Sequence, residues 1–351
     1  MTGTMTAVGW GTARTFESAA VVPEVSLETV PCPNCNSHEF DPILEGQDSL
    51  TGIGGTFHLV RCVECQLMLT NPRPTPESLG LFYPEDYPNY QSGIGSSGQR
   101  WQWLEHLVLR SRFGYLPQPV GLFGKMLAQL GMWKFHARHQ RREWIPFRAP
   151  GRLLDVGCGA GAFLERMRAF GWAVTGLEFA ADVARRVEQR TGISVHTGTL
   201  PHPDLEPESF DAVTMWQVLE HVQNPRQTVE AATKLLRPGG LLVIEVPNIE
   251  SRSFAEFGEH WRGLELPRHF QHFSPKTLSA TLPEDQLRII EIQQIGMRTL
   301  IKQSAQRAAD AGRSQYRAWL ARGKSFWVEQ ALQSEIANQA DVIRIFAERR
   351  S

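Results

Sequence analysis

No lysine-rich start leads into an apolar block, and nowhere do about 18 apolar residues run together, so the chain shows neither a secretory leader nor a candidate membrane-spanning helix. Neither sign of charge prevails. With 36 Lys and Arg against 37 Asp and Glu, the formal net charge is -1, which argues against a global affinity for nucleic acid or anionic membranes. These absences predict a soluble, cytoplasmic protein acting on a small molecule, with any basic patch confined to one stretch. At 351 residues the chain is long enough for one large core and a smaller module.

Cysteine is scarce, five in all, yet four of the five stand in two pairs, Cys32-Pro33-Asn34-Cys35 and Cys62-Val63-Glu64-Cys65. Two Cys-x-x-Cys turns can aim four thiolates at one tetrahedral centre, and the spacer from Asn36 to Arg61 suits the short hairpins of a zinc ribbon. The competing reading is two disulfides, but nothing signals secretion. Zinc held by Cys32, Cys35, Cys62 and Cys65 would be structural, because four protein ligands leave no open position. His38 and His58 read as ordinary histidines beside this set. Cys158 is the fifth.

That cysteine lies in the most informative stretch, Leu153-Leu154-Asp155-Val156-Gly157-Cys158-Gly159-Ala160-Gly161. A short apolar run reads as a buried parallel strand. The alternating glycines permit a tight turn and a close approach to a ligand, and a helix over Ala162 to Phe170 points its free N–H groups at an anion there. Alone the pattern also fits a dinucleotide fingerprint with Gly157, Gly159 and Ala162 in the G-x-G-x-x-A positions, or an empty turn. Trp172 to Glu178 follows as a second strand ending on an acid able to take ribose hydroxyls. Further strands are predicted at Ser194 to Thr197, Ala212 to Trp216, Leu241 to Val246 and Leu287 to Gln294, alternating with helices, so the sheet is parallel and its ligand sits at the carboxyl ends.

Three motifs in order, Leu154 to Gly161, Ser209-Phe210-Asp211-Ala212-Val213 with Val218-Leu219-Glu220-His221-Val222, and Leu235-Leu236-Arg237-Pro238-Gly239-Gly240-Leu241-Leu242-Val243-Ile244, resemble class I S-adenosylmethionine (SAM)-dependent methyltransferases over residues 151 to 300. The resemblance implies an α/β, Rossmann-like seven-stranded sheet, with Asp341 to Ala347 as an antiparallel seventh strand after a helical excursion over about 301–338. It also implies SAM as cofactor. Asp155 would support the glycine loop and reach the SAM amino group, Gly157, Cys158, Gly159 and Gly161 would supply close backbone, and Glu178, with Phe179 beside it, would take the ribose. Thr199 and Leu200 stand where many relatives carry an acid for the adenine. Trp216 and Gln217 would border the methionine portion.

The expected organisation is a mobile arm at 1–27, a zinc ribbon at 28–75, a linker and helical basic segment at 76–150, and the methyltransferase domain at 151–351. The proline-punctuated stretch from Leu67 to Tyr90 is similar to the segment joining ribbon and SAM domain in a group of bacterial methyltransferases, some acting on sugars. Tyr83, Tyr87 and Tyr90 are either lid residues or packed linker. Gln91 to Gly98 is a glycine and serine linker. Between Arg100 and Arg148, basic residues such as Arg110, Arg112, Arg141 and Arg142 outnumber Glu105 and Glu143 and are interleaved with tryptophans; the segment reads as solvated helix faces, or alternatively as a peripheral membrane contact.

For the acceptor side, Leu266-Pro267-Arg268-His269-Phe270-Gln271-His272-Phe273-Ser274-Pro275 places two histidines just before a helix that Ser274 caps. His269, then His272, are the candidate general bases, since an imidazole titrates near working pH; the alternative is that they brace the loop. Glu220 and His221 resemble the Glu-His of ubiquinone-pathway O-methyltransferases, where a divalent metal assists. Met215-Trp216-Gln217-Val218 departs from the Asn- or Asp-Pro-Pro-aromatic turn of nucleic-acid amino methyltransferases, and residues 151 to 351 hold no Pro-Cys nucleophile. The expected activity is methyl transfer to a hydroxyl on a sugar, glycan or other metabolite. C-methylation of a nucleotide sugar, or a noncatalytic SAM-binding scaffold whose ribbon docks a partner, are the alternatives.

Overall fold

The computed structural model describes residues 25–84, 144–148 and 150–351. The arm over 1–24, Tyr87 and Tyr90, the linker at 91–98 and the basic stretch at 100–143 lie outside the described residues.

The N-terminal part is built from short strands. β1 (Leu27–Glu28) pairs antiparallel with β5 (Arg73–Pro74), while β2 (Phe40–Gln47), β3 (Thr56–Cys62) and β4 (Met68–Thr70) form an antiparallel meander. The two Cys-x-x-Cys segments turn in the same way. Cys32 and Cys62 each accept from a backbone N–H four residues on, and those residues, Asn36 and Gln66, take φ of 60° and 67°. The turns bring Cys32 Sγ to 3.4 Å from Cys65 Sγ and Cys35 Sγ to 3.4 Å from Cys62 Sγ, with all four sulfurs within 4.8 Å of one another and none in a disulfide. A tetrahedral zinc with bonds of ~2.3 Å would need sulfurs about 3.8 Å apart, close to this cage.

The larger sheet has seven strands in the order β12-β13-β10-β9-β6-β7-β8, comprising β6 (Arg152–Val156), β7 (Ala173–Glu178), β8 (Val195–Thr197), β9 (Phe210–Trp216), β10 (Leu236–Pro247), β12 (Leu287–Ile295) and β13 (Val342–Arg349). Neighbours from β8 to β10 run parallel, and β13 is antiparallel to both β10 and β12. The predicted strands and the antiparallel seventh are therefore present, with β9 and β10 longer than expected. The helices Arg298–Asp310, Gln315–Leu320 and Lys324–Ile336 fill the expected excursion. Since β6 leads outward to β7 and β8 on one side and has β9 on the other, the order reverses between β6 and β9, the place where ligands bind in such sheets.

Both faces are covered, as buried parallel strands require. Leu154, Val156, Val213, Met215, Leu242 and Ile244 point into one apolar layer, and Leu153, Ala212, Leu241 and Val243 into the other with Phe163, Leu164 and Val187. The first layer also contains Cys32, Cys62 and Leu67, so the cysteine-bearing part shares the main core. The sharing extends to hydrogen bonds. β11 (Gln271–His272), from the histidine loop, pairs with β4 to complete a four-stranded sheet, Gln271 opposite Leu69 and His272 opposite Met68. The helix Pro275–Ser279 starts as its sequence indicated, with Ser274 and Thr277 forming a capping box and Pro275 in the first turn.

A Cys62→Ser variant is expected to lose one zinc ion per chain by elemental analysis and to exchange amide protons faster through β3, β4 and β11, while β6 and β9 stay protected. Native protein free of zinc, or a mass showing two disulfides, would overturn the ribbon assignment.

Candidate active site

The glycine turn forms because β6 must stop under β7. Gly157 N and Cys158 N both donate to Leu177 O, at 2.7 and 3.2 Å, and Gly157, Gly159 and Gly161 take φ of 68°, 49° and 78°. At two of these positions the neighbour that excludes a side chain is protein. A Cβ on Gly157 would lie 2.5 Å from Val218, and one on Gly161 2.6 Å from Val187. Protein packing therefore itself demands glycine at these two positions. Gly159 has a different task, its N–H donating at 2.8 Å to Glu178 Oε2 while Ala180 N donates at 3.1 Å to Oε1.

Glu178 is buried at the end of β7, and that burial raises its pKa against the lowering effect of the backbone donors. Asp155, also buried, accepts from Thr214 Oγ1 at 2.7 Å. Between them the Cys158 thiol is pushed far up, first by burial and then by the Asp155 and Glu178 carboxylates, which makes it a packing group and a poor nucleophile. Phe179 stands 64% exposed beside Glu178, a flat apolar surface at the strand ends. The structure thus groups Asp155, Gly157, Cys158, Gly159, Gly161, Glu178 and Phe179 around the switch point.

The remaining cofactor candidates divide. Thr199 is exposed after β8, whereas the Leu200 side chain belongs to the apolar core. Trp216 closes β9 with its ring edge-on to Phe163 at 5.2 Å and under the Arg344 guanidinium at 5.0 Å, and its buried Nε1 has no partner among the described residues. Gln217 turns the chain at φ 56° and is tied to Glu245 by its backbone N–H at 2.8 Å and its amide at 3.3 Å. It is held as a bracket between strands.

Past Gln217, a single 3₁₀ turn, Leu219–His221, lies against the histidine loop, with Phe270 N donating to Glu220 O at 2.7 Å. Glu220 is 1% exposed and neither carboxyl oxygen has a partner among the described residues; burial drives its pKa well up, helped by Glu265 and Glu245. Ligating atoms of Glu220, His221 and His269 lie within 4.8 Å of one another, and the two imidazoles meet edge to face at 4.6 Å. His221 Nδ1 faces the Arg268 carbonyl at 3.1 Å and the Tyr83 hydroxyl at 2.9 Å, which puts one of the three candidate lid tyrosines at the cluster. A carbonyl only accepts, so the proton sits on Nδ1.

His269 is 5% exposed, with Nδ1 2.9 Å from Gly263 O and Nε2 4.0 Å from Glu265 Oε2. Its Nδ1–H therefore donates to the carbonyl and Nε2 is an acceptor. Burial first, then His221, lowers its pKa well below the ordinary range, although Glu265 pulls the other way. The expectation of an imidazole titrating near working pH is corrected: His269 is neutral because it is buried. His272 lies apart from the cluster. In β11 its Nε2–H donates to Thr70 Oγ1 at 3.2 Å, and burial pushes its pKa down to about 3. Sequence reasoning gave no role to Glu265, Arg268 or Asp48; Arg268 lay within the stretch singled out and Glu265 just before it, but Asp48 carried no local signal.

A family described as "Methyltransferase domain" matches residues 133–292. The chain is 35% identical over 136 residues to a ubiquinone biosynthesis O-methyltransferase of Albidiferax ferrireducens, covering 34% of this chain and only 54% of that protein. It is 33% identical over 167 residues to the protein of the same name from Xanthomonas euvesicatoria pv. vesicatoria, covering 43% of this chain and 70% of the relative. A solved structure from Listeria monocytogenes, a putative S-adenosylmethionine-dependent methyltransferase, superposes with a TM-score of 0.43 at 13% identity, over 62% of this chain and 100% of the other.

Glu178→Gln is expected to weaken S-adenosylhomocysteine binding about 10- to 100-fold, the worth of a charge-assisted hydrogen bond. Gly159→Val, which forces a β-branched residue to positive φ, is expected to abolish it. Calorimetry finding native affinity in both variants would refute the assignment.

Proposed function

Because the chain belongs to the class I SAM-dependent methyltransferases, we propose that it transfers a methyl group to a hydroxyl oxygen of a small molecule, with His269 Nε2 receiving the hydroxyl proton. One observation carries this reading: the Gly263 carbonyl fixes the proton on Nδ1 and leaves Nε2 an acceptor, with the Glu265 carboxylate 4.0 Å away to stabilise the imidazolium that forms. The O-methyltransferase names of the relatives support oxygen as the acceptor atom. When bound, SAM supplies a methyl on a sulfonium whose sulfur keeps the C–S electron pair as the acceptor oxygen bonds to carbon. The residues present suit that cofactor: Glu178 offers two carboxylate oxygens to a diol, Phe179 an exposed ring to a purine, and Asp155 a buried carboxylate to an ammonium. The cysteine cage suits zinc, which would hold the ribbon together and take no part in transfer.

The chemistry of the base narrows the acceptor. An imidazole weakened by burial takes a proton most readily from an acidic hydroxyl, such as a phenol with a pKa near ~10, and poorly from a sugar alcohol. Of the acceptors expected from the sequence, a hydroxyl on a sugar, glycan or other metabolite, this chemistry favours a metabolite with a phenol-like hydroxyl.

A second reading rests on Glu220, whose two buried oxygens lack partners among the described residues. Glu220, His221 and His269 would hold a divalent cation, which would lower the pKa of an acceptor hydroxyl; His269 would then be a ligand.

Labelled SAM incubated with a metabolite extract and a panel of phenols reads transfer directly. His269→Ala should lower turnover about 100- to 10,000-fold with little change in S-adenosylhomocysteine affinity and an unchanged melting temperature. Near-native turnover would sink the base assignment. Dependence of the native enzyme on added Mg2+ or Mn2+ would favour the cation reading instead.

A further inference from the structure

We propose that Asp48, on the turn between β2 and β3, is a positioning residue for His269 that acts through Arg268, so that the cysteine-bearing sheet sets the geometry of the acceptor site. The proposal rests on the reading of His269 given above. Arg268 immediately precedes His269 in the chain. Its guanidinium is 1% exposed and meets Asp48, whose side chain is fully buried, through two hydrogen bonds, NH1 to Oδ2 at 3.0 Å and NH2 to Oδ1 at 2.8 Å. NH1 also donates to Phe82 O at 3.2 Å, and Nε to Glu265 Oε1 at 3.1 Å. Asp48 is itself anchored by Leu50 N at 2.8 Å and by the Thr51 hydroxyl. Burial alone would raise the Asp48 carboxyl, but the bonds from Arg268, Thr51 and Leu50 outweigh it and hold the group ionised.

Three further contacts turn this ion pair into a clamp on the site. Thr70, in β4, donates its hydroxyl to His269 O at 2.6 Å and its N–H to Phe270 O at 3.0 Å. The Arg268 carbonyl accepts from His221 Nδ1 at 3.1 Å. Glu265 is shared, with Oε1 on Arg268 and Oε2 on Arg262 and 4.0 Å from His269 Nε2. Residues 265 to 270 contain no helix or strand of their own. Their conformation is held from outside, by Asp48 and Thr70, on either side of His269. Asparagine at 48 would keep the volume but remove the charge and one acceptor oxygen, leaving the Arg268 guanidinium to pull on Glu265 alone. That moves the carboxylate facing Nε2, and the loop with it.

The test compares Asp48→Asn, a double variant Asp48→Leu with Arg268→Met, and Asp41→Ala as a control on the same hairpin, where Asp41 makes only an exposed pair with Arg61. Asp48→Asn is expected to lower turnover on the order of 100-fold, as misplacement of a reacting group does, with S-adenosylhomocysteine binding unchanged; Asp41→Ala should match the native protein. The double variant replaces a buried ion pair by apolar groups, which restores or exceeds the thermal stability lost in Asp48→Asn. Positioning predicts that its turnover stays low, whereas a purely stabilising pair predicts that turnover returns with stability. Nitrogen-15 spectra of the histidines give a readout independent of any acceptor. The native Nδ1–H pattern of His269 should be lost in Asp48→Asn and in the double variant, and kept in Asp41→Ala. Native turnover and an unaltered His269 signal in Asp48→Asn, or recovery of both in the double variant, overturn the proposal. If His269→Ala itself leaves transfer intact, the base assignment fails, and the histidine spectra still decide whether Asp48 places the ring.

Discussion

A guanidinium cannot shed its charge, so wherever one is fully buried the surroundings must be built around it. Arg268 is such a group. Its neutralising partners come from two separate parts of the chain, Asp48 from the cysteine-bearing hairpin and Glu265 from its own loop, and its remaining bond goes to the Phe82 carbonyl. Satisfying Arg268 therefore requires that the N-terminal sheet be docked and that the segment around Phe82 lie across it. Docking in turn places β4 where it can take β11 as a fourth strand, and puts Cys32, Cys62 and Leu67 into the layer beneath β9 and β10. Fully burying a leucine contributes roughly 1.5–3 kcal/mol, so this layer supplies an apolar driving force that a buried ion pair does not reliably provide. The pair instead selects one docking geometry among the many that apolar contact alone would accept.

The other half of the site depends on the sheet. Parallel strands collect the ends of β6, β7 and β9 on one edge, and the reversal of order between β6 and β9 opens the crevice there. Each strand delivers one polar group to that edge, Asp155 near the end of β6, Glu178 at the end of β7 and the Glu220 turn after β9. Their environments differ. Glu178 is bonded to two backbone N–H groups and Asp155 to Thr214, while Glu220 has no partner for either oxygen among the described residues. Two carboxylates have hydrogen-bond donors in place, whereas burial drives the pKa of the third, Glu220, well up and favours its neutral form or a neighbouring cation.

Much of this was legible in the sequence because it depends on local rules. Strands of a doubly covered sheet read as apolar runs, glycines mark a turn with positive φ, and Ser274-Pro275 announces a helix start, and each of these appeared where expected. The cysteine cage was legible for a similar reason, since each half is a four-residue turn. What escaped was pairing at long range. Nothing near Asp48 announces a partner 220 residues away, and Gln271-His272 is too short to register as a strand until β4 lies beside it. The state of His269 was misjudged because protonation is decided by burial, and burial of a loop residue is a property of the docked whole.

The same docking explains why the three histidines are neutral and why that suits the chemistry. Covering the loop with the N-terminal sheet removes water from His269 and His272, which lowers both pKa values, yet it leaves neither His269 Nδ1–H nor His272 Nε2–H without an acceptor, because Gly263 O and Thr70 Oγ1 receive one each. A histidine left in water would be partly protonated near neutral pH and unable to accept in that fraction. A buried one is always an acceptor, but a weak one, and only an opposing carboxylate makes the protonated state accessible. Glu265 is that carboxylate for His269, and it stays ionised despite burial because the Arg262 and Arg268 guanidinium groups both bond to it. His272 has no such neighbour, its only raising influence being a backbone hydrogen bond. Of the two imidazoles in the loop, the electrostatics therefore leave His269 able to take up a proton during turnover and confine His272 to holding the sheet.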